Sequence, residues 1–254
     1  MTAAIFFSPT GNTRRCAEAM ALAIDPAAQM MDVTVHGTSC DAAFSAENFV
    51  ILGMPVYAGR IPAIARKRLN NLQGNGARCI LLATYGNREI DDALAEMEDI
   101  AHEKGFRVMG GAAVVGRHTY GEIQTERPDA DDLSACADFA RRTFALGSDV
   151  PEAVMPGNRP YREGGGGGRF RPHTDETCLG CGLCRSACPA GAIDEDCNTV
   201  SDACIACFRC IRQCPVGAKS PANADYAEFA EMFTQKLSLR RENAFYGTAD
   251  KMEE

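Results

Sequence analysis

The chain has 254 residues, a formal net charge of −8 and 13 cysteines. Nucleic acids and anionic membrane surfaces favour proteins with a concentrated basic patch, so we expect neither as a partner. No apolar run approaches the about 20 residues that a membrane-spanning helix needs. Arg14 and Arg15 follow the first apolar run, whereas a signal peptide carries its positive charge before it. We therefore expect a cytoplasmic protein without a membrane span.

Strand-like and helix-like segments alternate over residues 1–146, which is typical of a parallel sheet covered by helices on both faces. The predicted strands are residues 3–7, 31–35, 49–54, 79–84 and 107–115. The predicted helices are residues 13–24, 62–72, 91–103 and 131–146. Right-handed crossovers between such strands produce a doubly wound, five-stranded parallel sheet.

The sequence SPTGNT, residues 8–13, joins the first predicted strand to the first predicted helix. Two threonine hydroxyls, a glycine and the amides at the positive end of a helix form a typical phosphate site. A nucleotide-hydrolysing loop would add a lysine followed by serine or threonine, which is absent here. The pattern favours a monoester phosphate over a triphosphate, and a serine/threonine helix cap without a ligand is the alternative.

Two further loops follow the third and fourth predicted strands: MPVYAGRIP (residues 54–62) and TYGNRE (residues 84–89). Ligands of doubly wound sheets bind beyond the carboxyl ends of the strands, where both loops lie. Tyr57 and Tyr85 can cover a flat ring, and the neighbouring glycines allow close backbone approach. Arg60 and Arg88 predict positive charge beside that ring. His118, after the fifth strand, either borders the same crevice or is an ordinary loop residue.

These motifs resemble those of the flavodoxin family, and the resemblance implies FMN as the cofactor. It implies a phosphate site made of Ser8, Thr10, Gly11, Asn12 and Thr13. It also implies that one loop lines the isoalloxazine ring with Pro55, Val56, Tyr57, Ala58 and Gly59, and the other with Thr84, Tyr85, Gly86 and Asn87. The chain lacks the tryptophan that flavodoxin loops often carry, so the ring face that each tyrosine covers stays open.

Eight of the cysteines form two units of spacing C-x2-C-x2-C-x3-C, each followed by proline. A zinc site needs four ligands and no third cysteine at the same interval, whereas this spacing is typical of [4Fe-4S] binding. Residues 174–218 resemble the bacterial two-cluster ferredoxins. The resemblance implies that the ligands cross over, with a first cysteine set (Cys178, Cys181, Cys184 and Cys214) and a second cysteine set (Cys188, Cys204, Cys207 and Cys210). Cys197 matches no ligand position.

The domain organisation predicted from these features has four parts. Residues 1–146 form the FMN-binding domain, and residues 147–172, with five consecutive glycines, form a flexible linker that could swing. Residues 173–220 form the cluster domain, and residues 221–254 form a helical tail. This order resembles flavodoxin/ferredoxin fusion proteins of anaerobic prokaryotes. It implies a flavodoxin-like α/β domain, a small α+β two-[4Fe-4S] ferredoxin-like domain and a C-terminal helix.

The predicted function is electron transfer between two [4Fe-4S] clusters and FMN, and on to a redox partner protein such as a ferredoxin-linked donor or acceptor enzyme. FMN holds one or two electrons and each cluster passes one, which makes the pairing useful. A flavin-dependent reductase of a quinone, nitro compound or similar small acceptor is the alternative. An iron–sulfur scaffold without flavin is a third. No catalytic residue is predicted.

Overall fold

A computed structural model describes residues 1–221 and 224–247. Over the first 146 residues, strands and helices alternate as β1 (Thr2–Phe6), α1 (Asn12–Ile24), β2 (Gln29–Asp32), β3 (Phe49–Pro55), α2 (Ala63–Arg68), β4 (Arg78–Tyr85), α3 (Ala93–Glu103), β5 (Arg107–Val115) and α4 (Ala130–Ala145). The first five strands are parallel and lie in the order β2-β1-β3-β4-β5. This is the flavodoxin-like order of a doubly wound fold, as predicted.

The sheet is buried on both faces by two separate apolar layers. Alternating side chains of β1, β3 and β4 enter opposite layers, so that Ile5 and Leu81 belong to one layer and Phe6 and Ile80 to the other. The Phe6 layer includes Met20 of α1 and Phe139 of α4. Strands buried on both sides explain the continuous apolar runs in the sequence. Loops that connect strands to helices lie at the carboxyl ends of the strands.

The predicted sheet of five strands is extended by a sixth, which corrects the prediction of a purely helical tail. After helix α7 (Ala224–Lys236), the chain forms β8 (Ala244–Gly247), which pairs antiparallel with β5 from Ala113↔Ala244 to Gly110↔Gly247. The added strand satisfies the free backbone groups of an otherwise open edge. Residues 248–254 of the predicted tail lie outside the described residues. Within the described ranges, no helix combines the length and apolar character needed to cross a membrane.

The cysteine-rich part forms a small unit with two similar halves. A two-stranded antiparallel ribbon, β6 (His173–Thr174) and β7 (Lys219–Ser220), closes its ends. Each cysteine unit contains one short helix, α5 (Leu183–Ser186) in the first and α6 (Arg209–Gln213) in the second. The unit lies against the α/β domain, because the buried guanidinium of Arg68 donates to the carbonyl of Pro189 and to those of Val33 and Thr34.

The segment predicted as a flexible linker, residues 147–172, packs along the α/β domain instead. Ala153 N–H donates to Val108 O at 2.9 Å, and the buried Met155 donates its N–H to a Glu98 carboxylate oxygen at 3.0 Å. Within the glycine run, the Gly165 N–H donates to the Tyr57 carbonyl at 2.9 Å. Glycine is needed at close approaches here, since a Cβ at position 167 would lie 2.4 Å from backbone atoms of Ile205.

Candidate functional site

The loop of residues 8–13 is held by hydroxyl hydrogen bonds at the carboxyl end of the sheet. Ser8 N–H donates to Thr34 Oγ1 at 2.8 Å, and Ser8 Oγ accepts from the Arg14 N–H at 3.0 Å. Thr13 Oγ1 lies 2.6 Å from Thr84 Oγ1 of β4. Gly11 adopts φ 92° immediately before α1, a conformation that favours glycine. The loop therefore turns sharply and leads directly into the first turn of the helix.

An inner cavity opens above this loop at the ends of β1, β3 and β4. It is lined by Ser8, Pro9, Thr10, Asn12, Thr13, Pro55, Val56, Tyr57, Thr84, Tyr85, Gly86, Arg117, His118 and Thr119. Ten of the predicted site residues are among these fourteen, so the structure brings the three predicted loops to one place. The hydroxyls lie at one end and the tyrosines at the other.

A second, aromatic cavity continues from Tyr57 toward the cysteine-rich unit. Its lining residues come from six parts of the chain: Val56, Tyr57, Ala58, Arg88, His118, Thr119, Tyr120, Gly166, Gly167, Gly168, Ile205, Ala206, Phe229 and Phe233. Burial raises the pKa of Tyr57 well above its usual value, so its hydroxyl is a hydrogen-bond donor at neutral pH. The cavity has apolar walls with a few polar groups, as expected for a flat cofactor.

Three predicted flavin-site residues do not line either cavity. Gly11 shapes the turn below the inner cavity, as described above. The Gly59 carbonyl accepts the Asp92 N–H at 3.0 Å, which turns this part of the loop toward α3. The Asn87 amide donates to the carbonyls of Leu237 and Leu239 at 2.9 and 2.7 Å, so its N–H groups are used in hydrogen bonds to the C-terminal tail.

The positive charge predicted beside the ring is largely paired with carboxylates. Arg60 Nε donates to a Glu96 carboxylate oxygen at 2.7 Å, and its guanidinium stacks on Tyr161. Arg88 does line the aromatic cavity, but it forms an ion pair with Asp91. Both arginines therefore contribute less charge to the cavities than their sequence position suggests.

Sequence reasoning missed the residues that the fifth strand and the distant segments contribute. Arg117, Thr119 and Tyr120 follow β5, and the motif GRHTY was the one available signal for them. His118 lies between both cavities, and burial lowers its pKa to about 4. It is therefore neutral near pH 7. Phe229 and Phe233 lie on one apolar face of α7, which the sequence indicates, but an amphipathic helix does not reveal what it covers.

The four members of the second cysteine set lie together in the structure. All four members line one small cavity, with a shell that includes Ile193, Ile205 and Phe208. Cys188, Cys207 and Cys210 are buried, with 7 to 8% exposure. The Ala192 N–H donates to Cys188 Sγ at 3.3 Å and the Ala206 N–H to Cys204 Sγ at 3.4 Å. Backbone N–H donors in an apolar shell suit cluster-bound thiolates.

The first cysteine set lies nearer the surface. Cys181 is exposed, and Cys178, Cys184 and Cys214 are partly exposed. Burial alone would raise the pKa of Cys214, but backbone N–H donors from Val216 onward lower it overall. Within the described residues, no three His, Cys, Asp or Glu side chains lie close enough together to ligate a single metal ion.

A buried lysine and the unassigned Cys197 lie beside the cysteine sets. Lys219 is 3% exposed and donates to Thr174 Oγ1 at 2.6 Å. Burial raises the pKa of Cys184 to about 11 and that of Cys210 to about 12, and the charge of Lys219 partly offsets this rise. A buried cation near both sets offsets the negative charge of cysteine thiolates. Cys197 is also buried, and its contact with Cys184 adds to the raised pKa of Cys184.

Comparisons with known proteins add two kinds of similarity. A family model described as a 4Fe-4S binding domain matches residues 173–194, and a second of the same description matches residues 201–217. No curated protein matches the chain. Among solved structures, a flavodoxin from the domain Archaea is 19% identical with a TM-score of 0.42, and covers 57% of this chain with 99% of its own. Flavodoxin 2 from Bacillus cereus is 19% identical with a TM-score of 0.43, and covers 57% of this chain with 97% of its own.

The strand order and the two family matches together describe an iron–sulfur protein with redox chemistry. The α/β domain has the flavodoxin-like order of strands. The cysteine-rich unit contains both matched 4Fe-4S segments. The chain therefore joins a flavodoxin-like domain to a ferredoxin-like one, which is the composition of a flavodoxin/ferredoxin fusion.

Proposed function

We propose that this chain transfers electrons between FMN, two [4Fe-4S] clusters and a redox partner protein. The hydroxyls and amides of residues 8–13 hold the FMN phosphate in the inner cavity. The loops that contain Tyr57 and Tyr85 enclose the isoalloxazine ring toward the aromatic cavity. The first and second cysteine sets each hold one cluster. FMN exchanges one or two electrons, whereas each cluster exchanges one.

The contact between the aromatic cavity and the second cysteine set carries this proposal. Ile205 and Ala206 line the aromatic cavity, and in the chain they lie between Cys204 and Cys207. Tyr57 lines the same cavity. Burial is the main cause of its raised pKa, and the nearby Cys207 and Cys204 raise this pKa further. The loop that contains Tyr57 therefore lies close to these cysteines. A ring bound at Tyr57 would thus be separated from the second cluster by a single layer of protein.

The exposed first cysteine set supports electron exchange with a separate protein. Leu179, Leu183 and Val216 adjoin its cysteines in the chain and are 70%, 50% and 44% exposed. The second set is buried against the flavodoxin-like domain. Exposed apolar side chains beside a redox centre favour a transient contact with another protein. The proposed order is therefore partner, first cluster, second cluster and flavin, in either direction.

The chemistry of His118 favours electron transfer over reduction of a small acceptor. A quinone or nitro reductase needs a proton donor beside the acceptor. His118 lines both cavities, but burial lowers its pKa to about 4, and its Nδ1 accepts the Tyr120 N–H at 2.8 Å. A neutral imidazole with that tautomer is a poor general acid at neutral pH.

Anaerobic purification followed by rapid-mixing spectroscopy tests the proposal. We expect FMN and about eight irons per chain, and flavin reduction that follows cluster reduction when the electron supply is limiting. Absence of bound flavin after reconstitution with FMN would contradict it. Turnover of a quinone without any protein partner would support the reductase instead. Zinc in place of iron would overturn the assignment of both cysteine sets.

A further inference from the structure

The cysteine-rich unit contacts both loops that border the hydroxyl end of the inner cavity. Arg209 Nη1 donates to the carbonyls of Ser8 and Pro9 at 3.2 and 2.9 Å. Arg212 Nη2 donates to the carbonyl of His118 at 2.8 Å. Both arginines belong to the second cysteine unit, where Arg209 lies between Cys207 and Cys210. This unit therefore holds two walls of a cavity in the other domain.

The same two loops are also tied to each other. Asn12 Nδ2 donates to the Arg117 carbonyl at 2.9 Å, so the start of α1 is joined to the segment after β5. Any displacement of Arg209 or Arg212 would move the loop of residues 8–13 relative to residues 117–119. The cavity between them depends on contacts from both domains.

Arg117 brings positive charge to this cavity and retains an unused donor. It lines the cavity, and its Nε is buried without a hydrogen-bond partner among the described residues. Its Nη2 contacts Glu122 at 3.1 Å, but that carboxylate is 73% exposed and offsets the charge weakly. The Arg117 side chain as a whole is 38% exposed. An anion bound in the cavity would supply an acceptor for this side chain.

Arg117 and Arg212 meet at the same segment, since Arg212 donates to the carbonyl of His118, the next residue after Arg117. Guanidinium groups bind phosphate oxygens through charge-assisted hydrogen bonds. The loop of residues 8–13 supplies the hydroxyls and amides for such an anion, and it has no lysine of its own.

We propose that Arg117 binds the phosphate of FMN, and that Arg209 and Arg212 are positioning residues that hold the phosphate site together from the cluster domain. This inference rests on the proposed function. It accounts for the missing lysine, since the positive charge comes from the segment after β5. The Arg209 contact also couples FMN binding to binding of the second cluster, because the segment that contains Arg209 also contains Cys207 and Cys210 of the second cysteine set. Such coupling is reciprocal.

Binding of FMN and of riboflavin to the cluster-loaded, flavin-free protein tests the first part. Riboflavin lacks the phosphate, so the ratio of the two dissociation constants isolates the phosphate contact. We expect Arg117→Met to weaken FMN binding about 10-fold to 100-fold, the range for a lost charge-assisted hydrogen bond, with riboflavin unchanged. Arg14→Met is the matched control, since its side chain is 57% exposed and paired with Glu18.

The outcomes separate this inference from the proposed function. If the unmodified protein binds neither flavin, the proposed function fails. If the unmodified protein binds FMN, and Arg117→Met retains its affinity for riboflavin with an unchanged ratio, the inference is overturned while the function stands. If Arg117→Met loses affinity for both flavins, Arg117→Lys, which keeps the positive charge, decides instead. We expect Arg117→Lys to retain part of the preference for FMN, and loss of the whole preference would overturn the inference.

Release of iron to a chelator tests the coupling. We expect FMN to slow iron release from the unmodified protein more than riboflavin does. In Arg209→Met this difference should disappear, whereas Arg185→Met should retain it. Arg185 also follows a predicted cluster ligand, but within residues 1–221 and 224–247 its guanidinium pairs with exposed Glu195 at 2.9 Å. Equal protection in Arg209→Met and in the unmodified protein would show that Arg209 does not position the site.

Discussion

At the scale of single residues, the most constrained charges away from the cavities are those of Arg127 and Asp132. Both side chains are 2% exposed and form an ion pair in which Arg127 Nε lies 2.8 Å from a carboxylate oxygen. Asp132 also completes a capping box with Asp129 at the start of α4. The Asn243 amide, beside β8, donates to Asp132 at 2.8 Å. One carboxylate thus joins a loop, a helix and the tail.

We expect Asp132→Asn to reduce the free energy of unfolding at neutral pH by about 3–5 kcal/mol, the cost of removing one partner of a buried pair. Burial would raise the pKa of Asp132, but hydrogen bonds from Arg127, the Asp129 N–H and Asn243 lower it to about 2. Because the pKa of Asp132 is lower in the folded state than in the unfolded state, its ionised carboxylate stabilises the folded protein at pH values above the unfolded-state pKa. That contribution is lost as the pH falls from about 4 to about 2.

Urea unfolding followed by circular dichroism across this pH range checks the prediction. The unmodified protein should lose stability more steeply than Asp132→Asn below about pH 4. Because acid affects the clusters in both proteins, the difference between them reports on Asp132. Asp138→Asn serves as the control, since that carboxylate is 56% exposed and pairs with Arg141. Parallel pH profiles for the unmodified protein and Asp132→Asn would contradict the argument.

At the scale of secondary-structure elements, hydrogen bonds from Asn87 hold the C-terminal tail. Asn87 lies in a loop that the sequence predicts to line the flavin. Asn87 donates two hydrogen bonds to the tail, to Leu237 and Leu239, and its Oδ1 accepts the Arg241 N–H at 3.2 Å. These bonds lie between α7, which covers the aromatic cavity, and β8. Asn87 thereby holds the covering helix in place.

We expect Asn87→Gly to release the tail and increase protease cleavage around residues 237–241. Asn87 has φ 62°, so glycine adopts its backbone without strain and the change isolates the lost hydrogen bonds. Each lost hydrogen bond costs about 0.5–1.5 kcal/mol. Asn75→Gly is the matched control, with φ 48° and one hydrogen bond to Phe44 O. Unchanged cleavage kinetics in Asn87→Gly would refute the fastening role.

At the scale of the whole molecule, the glycine run decides how closely the two domains approach. A Cβ at Gly168 would lie 1.9 Å from the Tyr120 hydroxyl, and one at Gly167 would lie 2.4 Å from Ile205 backbone atoms. Gly166, in contrast, has open space at that position. The run therefore serves as a thin spacer between the flavin loops and the second cysteine set, and its packing argues against free swinging.

We expect Gly167→Ala to push the cluster domain away from the flavodoxin-like domain, and Gly166→Ala to have no such effect. The domain separation can be followed by hydrogen exchange at Ile205 and by the rate of flavin reduction through the clusters. Gly167→Ala should increase exchange and slow the reduction, because electron transfer weakens with distance. Identical behaviour of the two alanine variants would indicate that the glycines act as a flexible linker after all.

Local patterns were sufficient for several features of the fold and the site. The spacing of Cys204, Cys207 and Cys210 identified a cluster unit, because those ligands are close in the chain. The loop from Ser8 to Thr13 was recognisable because a strand, a turn and a helix start follow one another directly. The contacts of Gly59 and Asn87 were not predictable, because Asp92 and the segment after Lys236, which they contact, lie on other elements.

The amino-acid sequence by itself determined the alternation that builds the parallel sheet, the lysine-free loop of residues 8–13 and the two cysteine units, since each depends on residues a few positions apart. Only the tertiary structure decided that the second cysteine set faces the aromatic cavity and that Arg117 enters the inner one. It also decided that the tail adds a strand and that the glycine run packs between domains. These features depend on contacts between residues far apart in the chain, and such contacts follow from the packing of whole elements.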